Sequence, residues 1–241
     1  LLLSTVFRIG YPQNQLSPDS VKFIEGHPQV DWAIPISLGD SHRGYRVLAS
    51  NNNYFKHLSY GHNNKLKFAS GSEFSANNSL VLGAQIAQKL GYKLGSEIIL
   101  THGTGDHSFH HHDDFPFIVC GILEATGTPV DHTLHVSLEG MSLIHKTMAH
   151  EHFDPLAVVP ETDYSINALF LGLKTKNTIP SFQRFINEYK PEALSAILPA
   201  VTLLEIWQML SIIEKSLLLI SICVALVSFC GLVAIMLTSL N

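Results

Sequence analysis

Apolar positions along this chain change their period several times, and each change predicts an element. Ser17-Pro18-Asp19 supplies a capping hydroxyl, a proline for the first helical position and an acid for the first turn, which predicts a short helix ending near Gly26. Partial alternation in VDWAIPIS, Val30 to Ser37, predicts a strand, and Tyr45 to Ser50 predicts another. Residues 51 to 79 are rich in Asn, Ser and Gly (NNN, GHNN, ANNS) and read as loops and short connections. Leu80-Val81-Leu82 opens a segment in which Ile86, Leu90 and Leu94 recur at near-helical spacing. Gly91 and Gly95 then turn the chain into a strand over Glu97 to Leu100. FPFIVCGIL, Phe115 to Leu123, predicts a strand with Phe117, Val119 and Gly121 on one face.

Further on, a Gly-Thr-Pro turn leads to a strand over Thr133 to Ser137 and a helix from Leu138, and residues 146 to 164 read as a loop. Ile166 to Lys174 reads as a buried strand, Ile179 to Glu188 as an amphipathic helix and Ala193 to Leu198 as one more strand. That succession implies a right-handed crossover if the two strands lie parallel in one sheet. Leu203 to Glu214 predicts a helix running into SLLLISICVALVSFCGLVAIMLTSL, residues 216 to 240, which carries no charge across 25 positions. About 20 apolar residues cross a hydrocarbon core, so this run predicts a transmembrane helix with a stiff stalk before it. Trp207 on that stalk suits the headgroup level, and Ser221, Cys223, Cys230 and Gly231 are small residues of the kind that let membrane helices approach. LLLSTVFRIG has neither an initiator methionine nor a basic leader region and does not read as a signal peptide. Residues 1–16 are expected to be the end of an earlier membrane helix, and the chain an excerpt from a larger membrane protein.

Composition narrows the function. Charged residues are 15% of 241 and the net charge is −5, which gives no basic footprint for nucleic acid. Cys223 and Cys230 are seven positions apart on one helix, a rise of roughly 10 Å, so no bridge between them is expected. No G-x-S-x-G elbow, H-E-x-x-H helix or G-x-x-x-x-G-K-[ST] phosphate loop occurs, which leaves hydrolase and ATPase readings without a motif. Histidine is the outlier: ten of the 14 lie between His102 and His152.

Several motifs occur in a familiar order: LVLG at Leu80 to Gly83, A-x-x-L-G ending at Gly91, and G-S-x-I-x-L from Gly95 to Leu100. F-x-V-x-G-I-L from Phe117 to Leu123 and T-G-x-x-x-D from Thr126 to Asp131 complete the set. From about residue 20 onward the chain resembles the periplasmic core domain of FtsX-like, MacB-type ABC transporter permeases, with the apolar run from residue 216 where that family's second membrane helix begins. The resemblance implies an α+β architecture. A mixed α/β periplasmic core domain would have two subdomains, a βαβ porter-like part and a smaller, mostly β part, and a transmembrane helix would follow. Its expected boundaries are 17–205 for the core, with the β-rich insertion at about 80–150, and 206–241 for stalk and membrane helix. It further implies a bacterial inner-membrane location with the main domain periplasmic, a second permease copy as homo- or heterodimer partner, and a separate cytoplasmic ABC ATPase. The chain itself would not be an enzyme.

The departure from that family is HGTGDHSFHHHDD, residues 102 to 114, expected to form the loop of a β-hairpin or the frayed inner ends of its strands. His102, His107, His110, His111, His112, Asp113 and Asp114 carry donors suited to zinc, copper or nickel, and zinc is the expected ion. His107 and His110 stand three apart, as do His132 and His135, while in an extended strand only His110 and His112 of the triplet share a face. His145, His150 and His152 form a second cluster that adds ligands if the fold brings it near. The competing readings are a tolerant polar loop and a pH sensor in which several imidazoles charge together. Cargo expectations follow: a divalent metal or a metal-carrying periplasmic partner protein. The alternatives are lipoprotein or lipid extraction, and a scaffold that passes ATPase motion to a periplasmic hydrolase or sensor and transports nothing.

Overall fold

The computed structural model describes residues 2–7, 10, 12, 14–102, 115–147, 160 and 163–239. A single turn, α1 (Leu2–Thr5), precedes α2 (Pro18–Glu25), whose ends follow its caps. The Ser17 hydroxyl accepts the Ser20 amide at 3.3 Å, and the Gly26 amide donates to the Lys22 carbonyl at 2.9 Å. The strand expected to stop at Ser37 continues as β1 (Val30–His42) and folds back as β2 (Tyr45–Ser50). Arg43 and Gly44 make that two-residue turn with φ of 48° and 81°, both positive as a tight hairpin of this hand requires.

The stretch read as loops holds α3 (Asn53–His57), β3 (Ser59–Tyr60), β4 (Asn64–Lys65) and β5 (Phe68–Gly71). These elements are only two to five residues long, too short for a period to show through Asn- and Ser-rich sequence. Next come β6 (Ser79–Leu82), α4 (Ala84–Leu90), β7 (Glu97–Ile98), β8 (Thr101–His102) and β9 (Phe117–Leu123). Gly91, at φ 71°, ends α4 one residue after Leu90, so Leu94 does not continue the helical stripe and is 48% exposed. β10 (Thr133–Ser137), α5 (Leu138–Thr147), β11 (Ala168–Leu173), α6 (Ile179–Asn187) and α7 (Pro199–Ser239) complete the described elements.

Nine strands form one mixed sheet in the order β11-β1-β2-β10-β6-β9-β5, with β7 on β9 and β8 on β1; β3 and β4 pair separately. The β2–β10 and β6–β9 pairs are parallel and the others antiparallel. Both faces of the sheet are buried, and alternation along the strands shows it. Leu80 and Leu82 of β6 and Val47 and Ala49 of β2 enter one core with Ile86, Phe117 and Val136. Val81 and Leu48, between them in sequence, enter a second core with Ile34, Ile36, Tyr54 and Phe55. β9 places Phe117, Val119 and Gly121 on one buried face, as the sequence predicts.

The strand expected over Ala193 to Leu198 is absent: those residues have no regular structure, and α7 begins directly at Pro199. A six-residue apolar run cannot distinguish a strand from the approach to a helix, and proline suits the first helical turn. β11 pairs with β1 and ends the strand order, so the parallel crossover built on that strand is also absent. Leu1–Leu194 form one compact unit and Ser195–Asn241 a second.

Candidate functional site

β1 changes neighbours along its length. Val30 to Ile36 pair with β11, Ser37 to His42 with β2, and Asp40 and Ser41 also with β8. Its far end therefore carries polar residues into a covered place. Asp40 is 1% exposed and His42 8%.

Both ring nitrogens of His42 are engaged. Nδ1 lies 2.7 Å from the Ile99 carbonyl oxygen and Nε2 2.8 Å from the Tyr92 hydroxyl. A carbonyl can only accept, so Nδ1 carries the proton and Nε2 accepts from Tyr92 in the neutral ring. Burial pushes the His42 pKa down and the adjacent Arg43 charge adds to this, while the Ile99 carbonyl pulls the other way. His42 is thus a neutral brace between β1 and the residues around β7. Asp40 faces a different histidine: His145, from α5, places Nε2 3.5 Å from Asp40 Oδ2, with side-chain exposures of 36% and 0%. In the β1–β8 register Asp40 stands opposite His102.

These positions bear directly on the sequence-derived ligands. His102 ends β8, at the edge of the Asp40 site. His107, His110, His111, His112, Asp113 and Asp114 lie outside the described residues, as do His150 and His152 of the second cluster. β8, which leads directly into the histidine-rich stretch, pairs with β1 and not with β9; it is the strand before it, β7, that pairs antiparallel with β9, Ile98 opposite Phe117. His132 and His135 do not form a pair. His132 is exposed in a 3-10 turn over Pro129–His132, whereas His135 is 0% exposed in β10, its ring 5.0 Å from that of Tyr54. Three residues apart across a turn-to-strand junction put one ring in solvent and the other in the core. Among the described residues no group of three or more His, Cys, Asp or Glu side chains stands at metal-ligand spacing.

Asp40 and its contact with His145 escaped the sequence reading, because the strand was ended at Ser37. The signal was an acid and a histidine two apart, Asp40 and His42, directly after the apolar run that ends at Leu38.

A second polar construction is structural. The Asp131 carboxylate, 1% exposed, accepts the Thr126 and Gly127 amides at 2.8 Å each and the Thr126 hydroxyl at 2.8 Å. Gly83 packs on this turn so closely that a Cβ there would run into the Val130 and Asp131 carbonyl oxygens. The LVLG and T-G-x-x-x-D motifs are therefore two halves of one junction. Beside it an open cavity of about 540 Å³ is lined by Arg46, Gln85, Thr128 and His132 among others. Arg46 there donates to the Gly10 carbonyl at 2.7 Å.

No family model matches the chain, and no curated protein sequence matches it. Solved structures do. The periplasmic region of MacB from Actinobacillus actinomycetemcomitans aligns at a TM-score of 0.51 and 12% identity, covering 81% of this chain and 85% of that one. The extracellular domain of the noncanonic ABC-type transporter YknZ from Gram-positive bacteria aligns at 0.45 and 15% identity, covering 72% and 83%. The chain has the fold of the MacB periplasmic region, a mixed α/β domain, together with a long apolar C-terminal helix.

Proposed function

We propose that this chain is the extracytoplasmic domain and outgoing membrane helix of an ABC transporter permease. Its work is mechanical: it transmits motion driven by ATP hydrolysis on a separate cytoplasmic subunit to transport outside the bilayer, and it acts as a pair with a second permease copy. One combination carries the reading. The fold is that of a transporter's periplasmic region, and the last element is a 41-residue helix long and apolar enough to cross a membrane. The helix is unbroken from Pro199 to Ser239, and its continuous hydrogen-bond ladder supports the transmission of displacement along the helix itself.

The cargo we assign is a divalent metal such as zinc, or a periplasmic partner that carries one. The histidine- and aspartate-rich stretch from His102 to Asp114 supports this assignment.

The test is topological first. Cells expressing the chain should retain it in the membrane pellet after alkaline extraction. A membrane-impermeant maleimide should label Asn63→Cys from outside the inner membrane and leave Cys223 and Cys230 unmodified. Release into the soluble fraction, or labelling of Cys223, would remove the reading. Copurification of an ATP-hydrolysing subunit would then establish the coupling.

A further inference from the structure

We propose that the open cavity beside the Gly83–Asp131 junction binds a small organic carboxylate with an apolar or aromatic body. Such a site is independent of the permease reading and of the cargo assigned there. Three neighbouring strands build it at one end of the sheet. β2 and β10 run parallel and both begin there, with Arg46 level with Thr133. β6 lies antiparallel on β10 and ends there, passing through Gly83 into α4. The β1–β2 turn contributes Gly44, the first turn of α4 contributes Gln85, and the 3-10 turn over Pro129–His132 forms a further side. This last wall is set in advance. The Asp131 carboxylate holds the Thr126 and Gly127 amides at 2.8 Å each, and the Gly83 backbone packs against the Val130 and Asp131 carbonyls. A ligand that meets preset walls loses little affinity to ordering the protein.

The lining decides the chemistry. A volume of about 540 Å³ is that of a cleft for a small molecule. Arg46 brings a permanent positive charge and His132 an imidazole, and among the described residues no carboxylate lines the cavity. Asp131, next to His132 in sequence, is 1% exposed and is turned into its own turn by the bonds it accepts. The side chains of Tyr45, Gln85 and His132 make no hydrogen bond with any described residue, so each has a polar group to offer. Arg46 donates to the Gly10 carbonyl at 2.7 Å, which shows its guanidinium placed to meet oxygen at this end of the sheet, and a guanidinium holds several acceptors at once. A single fixed cation matches a monoanion such as a carboxylate. A phosphate dianion would need more fixed positive charge than the lining carries. Phe7, Pro129 and the Tyr45 ring supply apolar wall for the body attached to that carboxylate.

The experiment is calorimetry on the full chain in nanodiscs, titrated in turn with N-acetylphenylalanine, its neutral primary amide, 3-phenylpropionate and inorganic phosphate. N-acetylphenylalanine should bind saturably and the amide at least about tenfold more weakly, since a hydrogen bond to a charged group is worth more than one to a neutral group. Binding of 3-phenylpropionate at least as tight would identify a free small acid as the ligand, and weaker binding the C-terminal end of a peptide; both support the site. Arg46→Gln should weaken the acid at least about tenfold and leave the amide unmoved, which separates loss of the charge from loss of the fold. Gln85→Trp fills the cavity from a half-buried position on α4 and should abolish binding of both, while His132→Gln, at an exposed position, should weaken the acid by a smaller factor. If Arg46→Gln does not fold, these two variants decide. Acid and amide binding alike, phosphate binding more tightly than either carboxylate, or undiminished affinity in Gln85→Trp would overturn the inference, as would the lack of saturable heat from wild type. None of these outcomes touches membrane retention, on which the permease reading stands.

Discussion

In the unit Leu1–Leu194 apolar side chains turn inward from both faces of a sheet, and Leu48, Leu80, Leu82 and Phe117 are each 0% exposed. In the unit Ser195–Asn241 no residue of α7 is buried, and Leu218, Val227 and Ile235 are 60%, 72% and 70% exposed. The same residue types therefore meet opposite surroundings. The sheet buries its apolar surface against itself and is built for water. The helix needs a solvent that is itself apolar, and it satisfies every backbone group in its interior within one element, as lipid demands. The sheet unit can afford polar chemistry inside, such as His42 and Asp131, because fixed partners replace water there.

The widest gap should appear on truncating one leucine in each unit. Leu82→Ala opens a cavity at the meeting of β6, α4 and β10 and should cost about 2–5 kcal/mol. Melting of the purified full chain should fall by on the order of 5–15 °C in circular dichroism. Leu226→Ala removes the same atoms from an uncovered helix and should leave the sheet unit's melting unmoved. An equal drop in both variants would mean that α7 is core, and the contrast drawn here would be wrong.

Next in size is the junction between the two glycine motifs. Asp131→Ala leaves two partly buried amides and a hydroxyl without their buried carboxylate, so about 2 kcal/mol should be lost. The expected melting shift is roughly 4–8 °C. A shift below the error of the melt would show that water replaces the carboxylate without cost and that this turn is not part of the packed unit.

These two sites also show what was legible in advance. The caps of α2, the strands β2 and β10 and the apolar run of α7 are local patterns: their residues interact with neighbours in sequence or with a uniform medium. The motif pair LVLG and T-G-x-x-x-D could be recognised but not joined, because Gly83 and Asp131 meet only through the β6–β10 pairing. Asp40 and His145 lie 105 positions apart and are brought together by tertiary packing that no period encodes. The histidine-rich stretch drew attention by composition, yet the described residue it shares with the Asp40 site is His102 alone, at a ladder position. The false strand at Ala193 to Leu198 arose where a six-residue apolar run was too short to fix a period.

His42 supplies a pH test with a definite sign. Its pKa is lowered in the fold, so between the ordinary value near 6.5 and the lowered one the unfolded chain binds a proton that the folded chain does not. Stability should be flat above about pH 6.5 and decline as pH falls through that window. His42→Gln removes this titration, so the difference between melting at pH 7.5 and at pH 5 should shrink in the variant. An undiminished pH slope would place the acid sensitivity in other histidines.

The smallest effect belongs to the surface clasp between α2 and the end of the sheet unit. Glu192 accepts the Ser17 hydroxyl at 2.7 Å and the Ser17 amide at 3.2 Å. Partial burial raises its pKa, but hydrogen bonds from Ser20 and Ser17 outweigh that and hold it below the ordinary carboxylate value. A lowered carboxylate pKa contributes stability that is complete above the ordinary value and is lost as pH falls through the folded one. The group is largely solvated, so screening limits the clasp to less than about 1 kcal/mol. Glu192→Gln should lower melting by roughly 1–3 °C at pH 7 and by nothing measurable at pH 3, where the wild-type carboxyl is itself protonated. A larger loss at neutral pH would mean that the clasp anchors α2 and that the sheet unit depends on its periphery as well as on its two cores.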